Sequence, residues 1–114
     1  MIVDRDTWIS GYRTMWLMVM FDLPVVEKDE RKAATGFRNY LLDEGFHMAQ
    51  YSVYYRLLDG KESVVATERR IMAKIPPRGS VQLLAITDKQ YENMKVFNGR
   101  DQKPTEKPNQ LVLF

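Results

Sequence analysis

From residue 13 to residue 21 the chain reads Arg-Thr-Met-Trp-Leu-Met-Val-Met-Phe, an apolar run without polar alternation. Such a run suits a central strand covered on both faces, although leucine and methionine also build short helices. Its length and the stop at Asp22-Leu23-Pro24 favour the strand, because Pro24 excludes the helical region for Leu23. Helical spacing follows over residues 27–44, where Ala33, Ala34, Phe37, Tyr40 and Leu41 share one face. Glu27, Asp29 and Glu30 load the first turn with the negative charge a helix N-terminus prefers, and Gly45 supplies a left-handed stop.

Residues 50–58, Gln-Tyr-Ser-Val-Tyr-Tyr-Arg-Leu-Leu, are rich in aromatic and β-branched side chains and predict a second strand. Asp59-Gly60-Lys61-Glu62 reads as a capping box. The helix it opens carries Val64, Val65, Ile71, Met72 and Ile75 and is ended by Pro76-Pro77. Residues 80–87 predict a third strand and residues 91–97 a weaker fourth. Residues 99–108 hold Pro104 and Pro108 among polar neighbours and read as a linker, and Leu111-Val112-Leu113-Phe114 closes the chain as a short apolar strand. The order is βαββαβ if the second strand is a bent hairpin and βαβαββ if it is not. Both place two helices on one face of a sheet, and the architecture expected is a ferredoxin-like α+β sandwich. The C-terminal strand needs an edge to pair with, either in a second copy of the chain or in its own sheet.

A length of 114 residues allows one domain, here residues 13–98, with an extension at 1–12 and the linker and last strand at 99–114. Cysteine is absent, which excludes disulfides, thiolate metal sites and a cysteine nucleophile. Seventeen basic against fifteen acidic residues give a net charge of +2, too little by itself to imply nucleic acid. Asp4 and Asp6 stand where a signal peptide wants a basic region, and the apolar run over residues 15–21 falls far short of the roughly 20 residues a membrane helix needs. A soluble, cytoplasmic protein with no membrane partner is expected.

Candidate chemistry is sparse. The sole histidine, His47, lacks an obvious orienting partner and reads as structural. Asp22 ends the most buried strand before a Leu-Pro turn, so it belongs at the end of the sheet near the surface. There it is either an Asx-type turn residue or a ligand for a divalent cation, and a two-fold dimer would supply the second carboxylate that one chain lacks. Basic residues form a second group: Lys28, Arg31 and Arg38 on the first helix, Arg56 on the second strand, Arg69, Arg70 and Lys74 on the second helix, and Arg78 beyond it. They read as phosphate-backbone contacts or as ordinary solvated faces. Tyr51, Tyr54 and Tyr55 have rings able to stack on bases, but on a strand they read as core and sheet-face residues.

Taken in order, Met18-Val19-Met20-Phe21-Asp22-Leu23-Pro24, Phe37-Arg38-Asn39-Tyr40-Leu41, Gly45-Phe46, Gln50-Tyr51-Ser52-Val53-Tyr54-Tyr55-Arg56, Gly79-Ser80-Val81-Gln82 and Ile86-Thr87-Asp88-Lys89-Gln90 resemble the smaller CRISPR adaptation protein family, Cas2, and most of all its type II members. The resemblance runs from about residue 13 to residue 114, and it rests on the order of the motifs rather than on any single one. It implies a ferredoxin-like homodimer whose C-terminal strand joins the partner's sheet. Such a dimer bridges the larger CRISPR integrase, Cas1, and binds the duplex DNA prespacer along its backbone. It also implies a magnesium-dependent endonuclease acting on RNA or duplex DNA, with the strand-one aspartate, here Asp22, as catalytic and metal-binding residue. Ser52 and Arg56 match polar positions that support the phosphate or the site, and Arg31 and Arg38 match the helix where backbone contacts are expected; Arg78 stands beside them as a nucleic-acid-binding candidate from the basic group alone. Residues 1–12 depart from the family pattern, as a contact to the integrase or as added sequence.

Two functions follow from different classes. A scaffold needs Lys and Arg and tolerates Asp22→Asn, whereas a nuclease does the reverse. A single carboxylate per chain favours the scaffold; a small-molecule-binding domain of the same fold is the weakest reading, because no polar pocket cluster is visible.

Overall fold

The computed structural model describes residues 14–99. Seven elements follow in order: β1 (Thr14–Asp22), α1 (Lys28–Asp43), β2 (His47–Gln50), β3 (Val53–Asp59), α2 (Lys61–Met72), β4 (Ser80–Thr87) and α3 (Asp88–Glu92). The strands form one sheet in the order β2-β3-β1-β4, and every neighbouring pair is antiparallel. Each of the two long helices therefore carries the chain across a strand that belongs to the other half, which is the interleaved βαββαβ arrangement of a ferredoxin-like sandwich. The extension at 1–12 and the C-terminal strand lie outside the described residues.

Strand β1 lacks alternation because it is covered on both sides. Met15, Leu17 and Val19 face the helices and pack with Phe37 and Leu41 of α1 and Val64 and Ile71 of α2. Trp16 and Met18 face the other way and pack with Tyr55 and Tyr91. Leu17, Val19, Leu41 and Ile71 are fully buried, and each such side chain contributes about 2 kcal/mol by leaving water.

Helix α1 begins where the sequence places it: the Glu27 N–H donates to Glu30 Oε1 at 2.9 Å. It ends at Gly45, φ +95°, with Gly45 N–H bonded to the Leu42 carbonyl and Phe46 N–H to the Leu41 carbonyl, both at 3.0 Å. That pair of bonds is the Schellman closure, which favours glycine at the left-handed position.

The structure decides between the two strand orders and corrects several other expectations. The strand over residues 50–58 is a hairpin, β2 and β3, turning at Tyr51-Ser52. Ser52 adopts φ +62°, the one positive φ at a non-glycine among the described residues, and its carbonyl accepts the Phe21 N–H at 3.0 Å. The bent-hairpin topology is thus the one adopted, because β1 stitches the turn in place. Tyr51 leaves the core with that turn and is 88% exposed, while Tyr54 and Tyr55 are buried as expected.

The fourth strand over residues 91–97 is instead α3. Thr87 Oγ1 accepts the Gln90 N–H at 3.1 Å and Gln90 Oε1 accepts the Thr87 N–H at 2.9 Å, a reciprocal box that starts a helix. Tyr91 then stacks on Trp16 at 3.9 Å between ring centroids, and Trp16 Nε1 donates to Asp88 Oδ1 at 2.8 Å.

Helix α2 has Gly60 at its N-cap, φ +100°, without the side-chain box expected of Asp59. Its buried stripe is Val64, Thr67 and Ile71; Val65, Met72 and Ile75 are exposed. Ile75 lies beyond the helix, since a residue before proline avoids helical geometry.

Candidate active site at the end of the sheet

Asp22 is the last residue of β1, and its register partner on β4 is Ser80. Strand parity decides its face. Val19 and Phe21 point to the helices, so Met20 and Asp22 point to the opposite, open face. Asp22 is exposed there and lines an open cleft of about 410 Å³ with Met20, Phe21, Tyr51, Ser52, Val53, Ser80 and Gln82.

Three strand ends converge to build that cleft. The turn at Ser52 is tied to β1 through the Phe21 N–H. The start of β4 is pressed against β1 by Gly79, φ +98°, where an added Cβ would lie 2.6 Å from the Asp22 carbonyl oxygen and 2.8 Å from Leu23 Cδ2. No side chain fits between these backbones, so a glycine is required for close approach.

Of the expected site residues, the fold brings Asp22 and Ser52 together and takes the arginines elsewhere. Arg56 pairs in register with Leu17, on the helix side of the sheet, and bonds Glu44 at 3.2 Å. Arg31 donates to the backbone carbonyls of Val26 at 2.6 Å and Val25 at 3.4 Å, which pins the loop after β1. Arg38 lies beside Tyr54, whose hydroxyl burial pushes above its usual range while the guanidinium pulls it back. Arg78 bonds Glu30 at 3.1 Å, next to the α1 N-terminus, yet its side chain is 74% exposed. The Glu30 carboxyl is held below the ordinary value, first by the Glu27 N–H and then by Arg78. His47 is exposed on the edge strand, with no part in the cleft.

Among the described residues the carboxylate with the most side-chain bonds shown is Glu44, which the sequence does not single out. It accepts two bonds from Arg70, at 2.9 and 3.0 Å, one from Arg56 at 3.2 Å and one from the Tyr40 hydroxyl at 3.0 Å. The forked Arg70 contact is the chief reason its carboxyl titrates below the ordinary range. Four ligating protons on one carboxylate leave it no capacity for a metal or substrate, and its role is to lock α1, β3 and α2 together.

Magnesium takes one or two carboxylates and fills its remaining positions with water and substrate phosphate. Among the described residues no three His, Asp or Glu side chains gather as a metal site. Asp22 is one such carboxylate, with Ser52 and Ser80 lining the same cleft, and an ion there would need a second carboxylate or a phosphate to complete it.

The comparisons with known proteins bear on the family and the fold. The family described as "CRISPR associated protein Cas2" matches residues 15–94. A "CRISPR-associated endoribonuclease Cas2" from Paracidovorax avenae is 50% identical over 107 residues, covering 93% of this chain and 99% of that protein. Another, from Flavobacterium psychrophilum, is 40% identical over 112 residues, or 97% of each chain. A solved structure described as "Crystal structure of cas2" superposes with a TM-score of 0.56 at 23% identity, over 82% of this chain and 97% of that one, and supports the fold. With the family match spanning both the sheet and its Asp22 end, the chain belongs to the Cas2 family of CRISPR-associated proteins.

Proposed function

We propose that this chain serves CRISPR adaptation as a homodimer and that the paired Asp22 carboxylates of that dimer support metal-dependent cleavage of phosphodiester bonds. The observation carrying this reading is the placement of Asp22: exposed, at a strand end, in an open cleft, and outside the hydrogen bonds and ion pairs that occupy Glu30 and Glu44. Leu57 and Leu84 are half-exposed on the same open face, so covering that face with a second copy removes apolar surface from water, and a two-fold axis beside the Asp22 end would bring the two carboxylates together. The C-terminal residues 111–114 are the segment proposed to exchange between protomers. Magnesium, when bound between the copies, would neutralise charge on the scissile phosphate and lower the pKa of an attacking water. Asp22 contributes the ligand, while Ser52 and Ser80 offer hydroxyl donors for phosphate oxygens. The relatives named as endoribonucleases point to RNA as the first substrate to try.

A second reading, a non-catalytic scaffold that holds duplex DNA and bridges Cas1, rests on a different observation. The Arg78 side chain remains 74% exposed even while paired with Glu30. A single-contact pair on so exposed a side chain is worth little, so this cation can exchange a carboxylate for a phosphate at small cost.

Cleavage of labelled single-stranded RNA and duplex DNA with magnesium, by wild type and Asp22→Asn, separates the two. The nuclease reading expects cutting that disappears with Asp22 while binding and thermal stability persist. Equal cutting by both proteins sinks the Asp22 site. Absence of cutting by either, with duplex binding that weakens steeply with salt, leaves the scaffold.

A further inference from the structure

We propose that Tyr51 is the base-stacking residue of the Asp22 cleft and makes it select an unpaired nucleotide over a continuous duplex. The inference deepens the phosphodiester reading above and rests on it.

Three tyrosines stand within five positions on this hairpin, and their environments differ sharply. Tyr54 and Tyr55 are 1% and 5% exposed, whereas Tyr51 is 88% exposed. Packing within the protomer does not account for a large ring so fully in water, and Tyr51 is no natural turn former, since Gly, Asn or Asp suits such a hairpin better. The ring is nevertheless displayed on a fixed backbone. Ser52 next to it sits at φ +62°, and its carbonyl is bonded to β1 at the residue before Asp22. Tyr51 and Asp22 thereby line one cleft, with Met20 and Val53 as apolar surface and Gln82 offering an amide donor and acceptor.

That set matches the parts of a nucleotide. An aromatic face stacks on any base, an amide reads a base edge, and a carboxylate end takes the metal-bound phosphate. A base inside a duplex is already stacked on both sides and cannot reach the ring without being extruded, whereas an unpaired base can. The chemistry identified is therefore a single-stranded stretch, or a frayed or looped nucleotide, held with its phosphate toward Asp22.

The test measures binding by the full-length protein without metal, so that cleavage does not intervene. The probes are a single-stranded RNA carrying one fluorescent aminopurine and a blunt duplex of the same length. Tyr51→Ala is expected to weaken single-strand binding by about fivefold or more and to abolish the fluorescence quenching that stacking causes. Tyr51→Phe and Tyr51→Trp keep both, and duplex binding does not change in any of the three. The exposed ring makes no core contact, so the melting temperature of each variant should match wild type. Unchanged single-strand binding by Tyr51→Ala overturns the proposal alone, as does an equal loss on single strand and duplex. A wild-type protein that binds neither probe overturns the proposal together with the functional reading beneath it.

Discussion

Glu44 and Asp22 are both carboxylates that close an element, one after α1 and the other at the end of β1, and the fold treats them in opposite ways. Glu44 is only 16% exposed and receives bonds from Arg56, Arg70 and Tyr40. Asp22 lies exposed in its open cleft, outside the ion pairs found among the described residues. The first region is a clamp in which charge complementarity is satisfied within the protomer. The second leaves a carboxylate available to something outside it. What distinguishes a functional acid from a structural one here is thus not its residue type or its place at an element end, but whether the surrounding cations converge on it.

Substitution at each site should separate the two roles. Asp22→Asn keeps size and hydrogen-bonding shape while removing the charge a metal needs, and it is expected to lower cleavage by about 100-fold or more. Its effect on stability should stay within about 0.5 kcal/mol, as for exposed positions generally; cleavage kinetics and urea denaturation on the same preparation check both. Glu44→Gln should do the converse. It leaves two arginines facing a neutral amide, at a cost of about 2 kcal/mol, less than a fully buried pair because Arg70 is half in water. Cleavage per folded molecule should be unchanged. If Glu44→Gln impaired cutting at full folding, the clamp and the cleft would not be independent regions.

The sequence made the Asp22 end legible because its signals are local. An apolar run stopped by Leu-Pro placed the carboxylate at a strand end, and Gly45 marked the close of α1 by its left-handed geometry. The arginines were not legible as a group, since their direction depends on register. Ser52 and Arg56 looked like neighbours on one strand, but the turn puts Ser52 in the cleft and the pleat sends Arg56 to the helix face. That turn carries no glycine or asparagine at its positive φ, so residues 50–58 read as one strand. Helix α3 was hidden for another reason: Tyr91 and Met94 resemble strand residues unless the box formed by Thr87 and Gln90 is recognised first.

Gly79 joins the comparison from the backbone side. An alanine there meets the Asp22 carbonyl at 2.6 Å in a conformation L-residues rarely adopt. Gly79→Ala is therefore expected to cost about 1–2 kcal/mol and also to slow cleavage, because relief of the clash moves the strand end that carries Asp22. A variant that lost stability while keeping wild-type cleavage would show that the cleft tolerates displacement of β4.

The smallest effect is one of pH, and it belongs to the clamp. The Glu44 carboxyl is held below its ordinary value of 4.5, mainly by the Arg70 bond, against a burial effect that acts the other way. A carboxylate more acidic in the folded than in the unfolded chain adds stability that is complete above the unfolded value and is lost as pH falls through the folded one. Wild type should thus exceed Glu44→Gln in stability at neutral pH, and the gap should close on acidification below about 4.5. Urea midpoints at several pH values from neutral downward read this directly. A gap that persisted unchanged on acidification would mean that the acid sensitivity of the fold does not reside in the Glu44 clamp.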